Sequence, residues 1–167
     1  MTIIFAITVY AVAMTVANLA VSAFGPAITP INAFVLIGLD LALRDWLHFR
    51  LRPWQMGALI GVTGLLTYLL NDAAAQIAIA SAASFTVAAL VDWAVFSRLK
   101  GSWMRRSAGS NVAGAAVDSL VFPTLAFGSL MPSIVLAQFV CKVIGGAVWS
   151  FLISKSVHTS NVSEVVS

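Results

Sequence analysis

The sequence predicts an all-α integral membrane protein with six transmembrane helices and both termini cytoplasmic. Three observations predict it. Of 167 residues, 60% are hydrophobic and 9% charged, against about 25% charged in an ordinary soluble domain. The apolar residues gather in six runs, most of them near the roughly 20 residues that a helix needs to cross about 30 Å of hydrocarbon. The nine Lys and Arg residues are placed unevenly: all except Lys142 lie after the second run, after the fourth, or at the start of the tail. The other connections carry none, so the positive-inside rule puts both ends of the chain in the cytoplasm, and a bacterial inner membrane is the expected location. The net charge of +3 sets orientation, and nucleic acid is not an expected partner. The lipid bilayer is.

In order, the first run spans Ile3 to Phe24 and is stopped by Gly25-Pro26, with Pro30 closing an uncharged turn. It lacks a basic leader and outlasts a signal-peptide core, so it reads as a mature span. The second run, Ile31 to Leu43, carries Asn32 and Asp40 and passes into an interfacial stretch with Trp46, His48, Arg50, Arg52 and Trp54. The third, Trp54 to Leu70, spaces Gly57, Gly61 and Gly64 so that a neighbouring helix, of this chain or of a second copy in a homodimer, can approach closely. The fourth, Ala73 to Phe96, presents Gln76 and the small residues Ala80, Ser81, Ala83 and Ser84 before Asp92-Trp93. The fifth, Ala108 to Leu130, holds Asn111, Asp118, Ser119 and Pro123; the proline is expected to break the helix near Asp118 and free backbone carbonyls for a ligand. The sixth, Ile134 to Ile153, contains Gln138, Cys141, Lys142 and Gly145-Gly146. The chain is thus a single six-span domain over 1–155 with a short polar tail, 156–167, expected to lack fixed structure.

Four ionisable groups inside apolar runs need a reason to be there: Asp40, Asp92, Asp118 and Lys142. A charge near the middle of the bilayer costs at least about 2.5–3.5 kcal/mol unless it meets a partner, a cavity or a ligand. Asp118 lies about ten residues into its run, on the order of 15 Å deep, and Lys142 lies at similar depth in the next. Helices joined by a tight turn are neighbours, so Asp118 and Lys142 are expected to pair. That pair is either structural, neutralising two charges, or the centre of a binding site that also draws on Asn111, Ser119 and Gln138. Asp40 has Arg44 four residues on, and Asp92 stands close to Arg98. Trp93 and Phe122 offer flat faces for a heteroaromatic guest. Asn32 to Asp40 and Asn111 to Asp118 are spaced 8 and 7 apart, a hint of an inverted repeat. There is no metal cluster, glycine-rich phosphate loop or nucleophile elbow, so no cofactor and no enzyme chemistry are expected. An intramembrane aspartyl hydrolase built on Asp92 and Asp118 is an alternative of another class, but Ala115-Ala116-Val117 stands where Gly-x-Gly would precede the acid.

The run from Ile79 through Ser84-Phe85 to Leu90-Val91-Asp92-Trp93, then Arg105-Arg106, Ser110-Asn111, Val117-Asp118-Ser119-Leu120-Val121-Phe122 and Phe127-Gly128, resembles the queuosine precursor transporter family, also called the vitamin uptake transporter family. The second run departs from that family's pattern, reading Gly38-Leu39-Asp40-Leu41-Ala42-Leu43-Arg44. The resemblance implies uptake of a 7-deazaguanine, 7-cyano-7-deazaguanine or 7-aminomethyl-7-deazaguanine, salvaged for tRNA modification. On that footing Asp118 would accept the two adjacent donors of a guanine-like edge, Asn111 or Gln138 would read the carbonyl, and Trp93 or Phe122 would stack. A substrate-binding membrane subunit for another vitamin, energised by a separate ATPase, is the neighbouring alternative.

Overall fold

The computed structural model describes residues 2–48, 50–101 and 103–165, without the side chains of 45, 48, 53, 103–107 and 154–165. His48, Arg105 and Arg106 therefore fall outside the described side chains. Every regular element among the described residues is helical.

Helix α1, Ile3–Phe24, starts where the Phe5 N–H donates to the Thr2 hydroxyl at 3.3 Å and stops at Gly25, whose φ of +69° suits a residue without Cβ. A tight turn over Gly25–Ile28 reverses the chain, and Thr29 donates its hydroxyl to the Pro26 carbonyl at 2.7 Å. The second helical segment is continuous but not uniform: α2, Thr29–Asn32, widens into a π-helical turn over Ala33–Ile37 and continues as α3, Gly38–His48. A π turn of this kind re-aims the side chains on either side of it and recurs at functional sites. Helix α4, Pro53–Leu70, is closed at its start by Gln55, which accepts from the Arg52 N–H at 2.7 Å. Asn71 caps the turn into α5, Ala75–Arg98, by accepting from the Ala73 N–H at 3.0 Å. Helices α6, Trp103–Phe127, and α7, Pro132–Val165, follow, the first ended by Gly128 at φ +68°.

One expectation is corrected. Pro123 does not break α6, which runs as one helix through it to Phe127. Its effect is local, since Pro123 has no N–H to give the carbonyl of Ser119 one turn back.

Among the described residues four stretches are long and apolar enough to cross a membrane: Ile3–Arg44, Asp72–Arg98, Ala108–Phe127 and Pro132–Ile153. The first covers 42 residues, about twice what one crossing requires. It is folded back on itself at Gly25, so that α1 packs against α3. The apolar stretch Trp54–Leu70 of α4 is shorter. The bundle inverts the soluble pattern. Ile4, Leu69, Ile79, Leu136 and Phe151 lie exposed on its outer surface, while Asn18, Asn32, Asp40, Asp118, Gln138 and Lys142 are buried. Small buried residues such as Ala17, Ala80, Ser81 and Ser84 let the helices approach.

Two glycines set how close. A Cβ on Gly145 of α7 would run into the carbonyl oxygen of Phe34 in the π turn and lie 2.9 Å from its Cα, and one on Gly38 would lie 2.7 Å from the Gly145 carbonyl carbon. Backbone therefore meets backbone where α7 crosses the second segment. By contrast, Gly57, Gly61 and Gly64 have open space where a Cβ would go. Gly145→Ala should lower stability by about 2 kcal/mol or more, because a rigid backbone must give way. Gly61→Ala should be neutral or slightly stabilising in a helix. Thermal unfolding of the two variants in detergent checks the difference.

Candidate functional site

The buried polar residues fall into two groups. In the first turn of α3, Asp40 accepts from Arg44 at 3.3 Å, while the Arg44 guanidinium lies 4.8 Å from the centre of the Phe85 ring. This pairing is made largely within one helix and closes a polar position in the bundle.

The second group joins different helices. Lys142 on α7 donates to Asp118 on α6 at 2.7 Å and to Gln138, one turn back on α7, at 3.1 Å. Asp118 and Lys142 are 6% and 2% exposed, so the charge pair sits in a poor dielectric, where an ammonium and a carboxylate attract strongly but each alone carries a heavy desolvation cost. The two acids that suggested a repeat thus meet their cations in different ways, Asp40 within one helix and Asp118 between two.

This cluster opens on a narrow slot of about 30 Å³ between the helices, room for about two waters. Helix α1 contributes Ala17, Asn18 and Val21, the turn and second segment Thr29, Asn32 and Ile37, and α5 contributes Ser81, Ser84 and Phe85. Asp118, Phe122, Gln138 and Lys142 complete the wall. Asn18, Asn32 and Ser84 spend their hydrogen bonds on neighbouring helices or on their own turn. Asn18 reaches Thr67 of α4 at 3.4 Å, Asn32 donates to the Ala17 carbonyl at 3.0 Å, and the Ser84 hydroxyl donates to the Ser81 carbonyl at 3.0 Å. Two lining atoms differ. Oδ1 of Asp118 and Nε2 of Gln138 are buried and have no hydrogen-bond partner, a condition that ordinarily marks a missing guest or water.

Of the residues singled out from the sequence, Asp118, Gln138, Lys142 and Phe122 come together in the slot. Ser119 is fully buried next to it with its hydroxyl unpartnered, but does not line it. Asn111 lies exposed nearer the start of α6 and makes its own contact there. Trp93 is 69% exposed on the outside of α5. Asp92 faces Gly114, where a Cβ would come 3.4 Å from its own, and does not line the slot. An aspartyl hydrolase needs two carboxylates sharing a site, whereas Asp118 faces an ammonium. Asn18, Asn32, Ser81 and Ser84 had a signal in the sequence, as polar or small residues inside apolar runs. Thr29 and Phe85 had none, because a threonine at a turn and a phenylalanine in a span are ordinary.

Removing one partner of the pair should be costly. Lys142→Met alone should destabilise the protein by about 3–5 kcal/mol, since Asp118 is left charged, buried and unpaired. Lys142→Met with Asp118→Leu should recover most of that loss, because an apolar pair of similar size replaces both charges. Unfolding of the two single variants and the double variant in detergent measures the coupling.

The searches of curated proteins and of solved structures found no match to the chain. A family model described as "Putative vitamin uptake transporter" matches residues 1–154. That span takes in all the residues that line the slot, and the chain belongs to this family of membrane transporters, the vitamin uptake transporters.

Proposed function

We propose that this protein imports a queuosine precursor, 7-cyano-7-deazaguanine or 7-aminomethyl-7-deazaguanine, across the cytoplasmic membrane for salvage into tRNA. It does so as a bundle of six spans with both termini in the cytoplasm. One observation carries the reading: a buried ion pair lines a narrow interhelical slot in a transporter family, with an acceptor and a donor left unpartnered. A flat, polar-edged heterocycle suits such a slot better than a bulky or purely apolar guest. With the slot empty, Lys142 neutralises Asp118; with a ligand present, a ring N–H donates to Asp118 and the ring lies against Phe122. Charge-assisted hydrogen bonds of this kind keep their strength on desolvation. The fold-back of the Ile3–Arg44 stretch and the apolar length of α4 support the count of six. The basic loops support the orientation.

The test is queuosine in the tRNA of a bacterial strain that can neither make nor import the precursor, expressing this chain and supplied with low concentrations of each 7-deazaguanine. The intact protein should restore queuosine. Asp118→Asn should reduce it at least about tenfold at an unchanged level of membrane-inserted protein. No restoration by the intact, inserted protein would overturn the substrate. Restoration only when a separate ATPase is co-expressed would make the chain the substrate-binding subunit of a larger importer.

A further inference from the structure

Lys142 fixes the polarity of the slot. An ammonium has protons to donate and no lone pair to offer, so each atom it holds must be an acceptor. It holds Oδ2 of Asp118 at 2.7 Å and Oε1 of Gln138 at 3.1 Å. The Gln138 amide is thereby left with one orientation, its oxygen on Lys142 and its Nε2 turned away. That Nε2 and the Oδ1 of Asp118 are buried atoms without a hydrogen-bond partner, on residues 1% and 6% exposed that both line the slot. A single cation therefore leaves one acceptor and one donor over on two residues that line the same slot.

We infer that the slot selects a ligand by a lactam edge, an N–H beside a C=O in one ring, and that Gln138 is the residue that demands the carbonyl. This rests on the slot being the ligand site of an importer. It goes beyond a carboxylate gripping two donors, because Oδ2 is occupied by Lys142 and only Oδ1 is left over. An N–H given to Oδ1 and a C=O given to Nε2 would complete both groups at once. An amino group in place of the carbonyl sets donor against donor, and the ring nitrogen beside it loses the proton that Oδ1 needs. Sites built on buried hydrogen-bonding groups reject such mismatched guests strongly, since their own groups are then left unpaired.

The experiment uses the full chain in proteoliposomes, with uptake of labelled 7-cyano-7-deazaguanine challenged by two unlabelled competitors. One lacks the exocyclic 2-amino group and keeps the lactam; the other keeps the 2-amino group and carries an amino group in place of the oxo. The 2-deamino compound should compete within about threefold of the parent, and the oxo-to-amino compound at least about tenfold less well than the parent. Gln138→Met, similar in size but without the donor, should narrow the gap between the two competitors by about tenfold or more. A merely structural role for Gln138 would weaken both competitors alike and leave the gap unchanged. Uptake with an unchanged gap in that variant, or with the competitors in the opposite order, would overturn the lactam reading and leave the importer standing. No uptake of the labelled compound by the intact protein would overturn the substrate assignment itself, and the lactam reading with it.

Discussion

An ammonium and a carboxylate held 2.7 Å apart between two helices cannot be placed in a bilayer one at a time. Either charge alone would cost several kcal/mol to bury, so α6 and α7 have to come together in the register that pairs Asp118 with Lys142. Other features depend on that register. Gly145 stands three residues beyond Lys142 on α7 and is where the π turn comes into backbone contact. The same crossing brings Asn32 and Ile37, at the two ends of that turn, to the slot wall. Helix α1 closes the opposite side, anchored to Asn32 through the Ala17 carbonyl. The ion pair, the glycine contact and the π turn are one packing solution, and the slot is the space they leave.

The polar residues sort by what their hydrogen bonds do. Asn18, Asn32, Thr63, Thr67 and Ser84 bond to neighbouring helices or back to their own turns, which holds a bundle of apolar helices together where no hydrophobic difference between helix and lipid does so. Asp40 and Arg44 form a second polar contact away from the slot. Asp118 and Gln138 differ in having one atom each assigned to Lys142 and one left over. A transporter needs a site that binds while leaving its ligand able to depart, and two unpaired atoms on a rigid clamp meet that need better than a wall of fully satisfied groups. Phe122, packed edge-on against Phe127 at 6.4 Å between ring centres, gives the clamp a flat neighbour.

Much of this was legible in the sequence where the rule was strong and local. Helix α1 ends at Phe24 because Gly25-Pro26 cannot continue it, and the pairing of Asp118 with Lys142 follows from equal depth on helices joined by a short turn. The rest depended on side-chain direction, which spacing alone does not give. Asn111 and Trp93 lie in the same apolar runs as the slot residues but point to the outer surface, since a helix has all its faces and the sequence marks which is inward only weakly when every face is apolar. Pro123 was expected to break α6, yet neighbouring helices hold that helix through the missing bond. The π turn left no trace in Ala33-Phe34-Val35-Leu36-Ile37, a run that would suit an ordinary helix equally well. Gly145 serves a backbone contact within the chain, a role that the pair Gly145-Gly146 does not by itself disclose.

The most direct measurement is an experimental structure of the protein bound to 7-cyano-7-deazaguanine. The account predicts the ring in the slot beside Phe122, its edge within hydrogen-bond distance of Asp118 and Gln138, and the Lys142–Asp118 contact kept. A ligand seated elsewhere, on the outer face near Trp93 and Asn111 or against the Asp40–Arg44 pair, would contradict it.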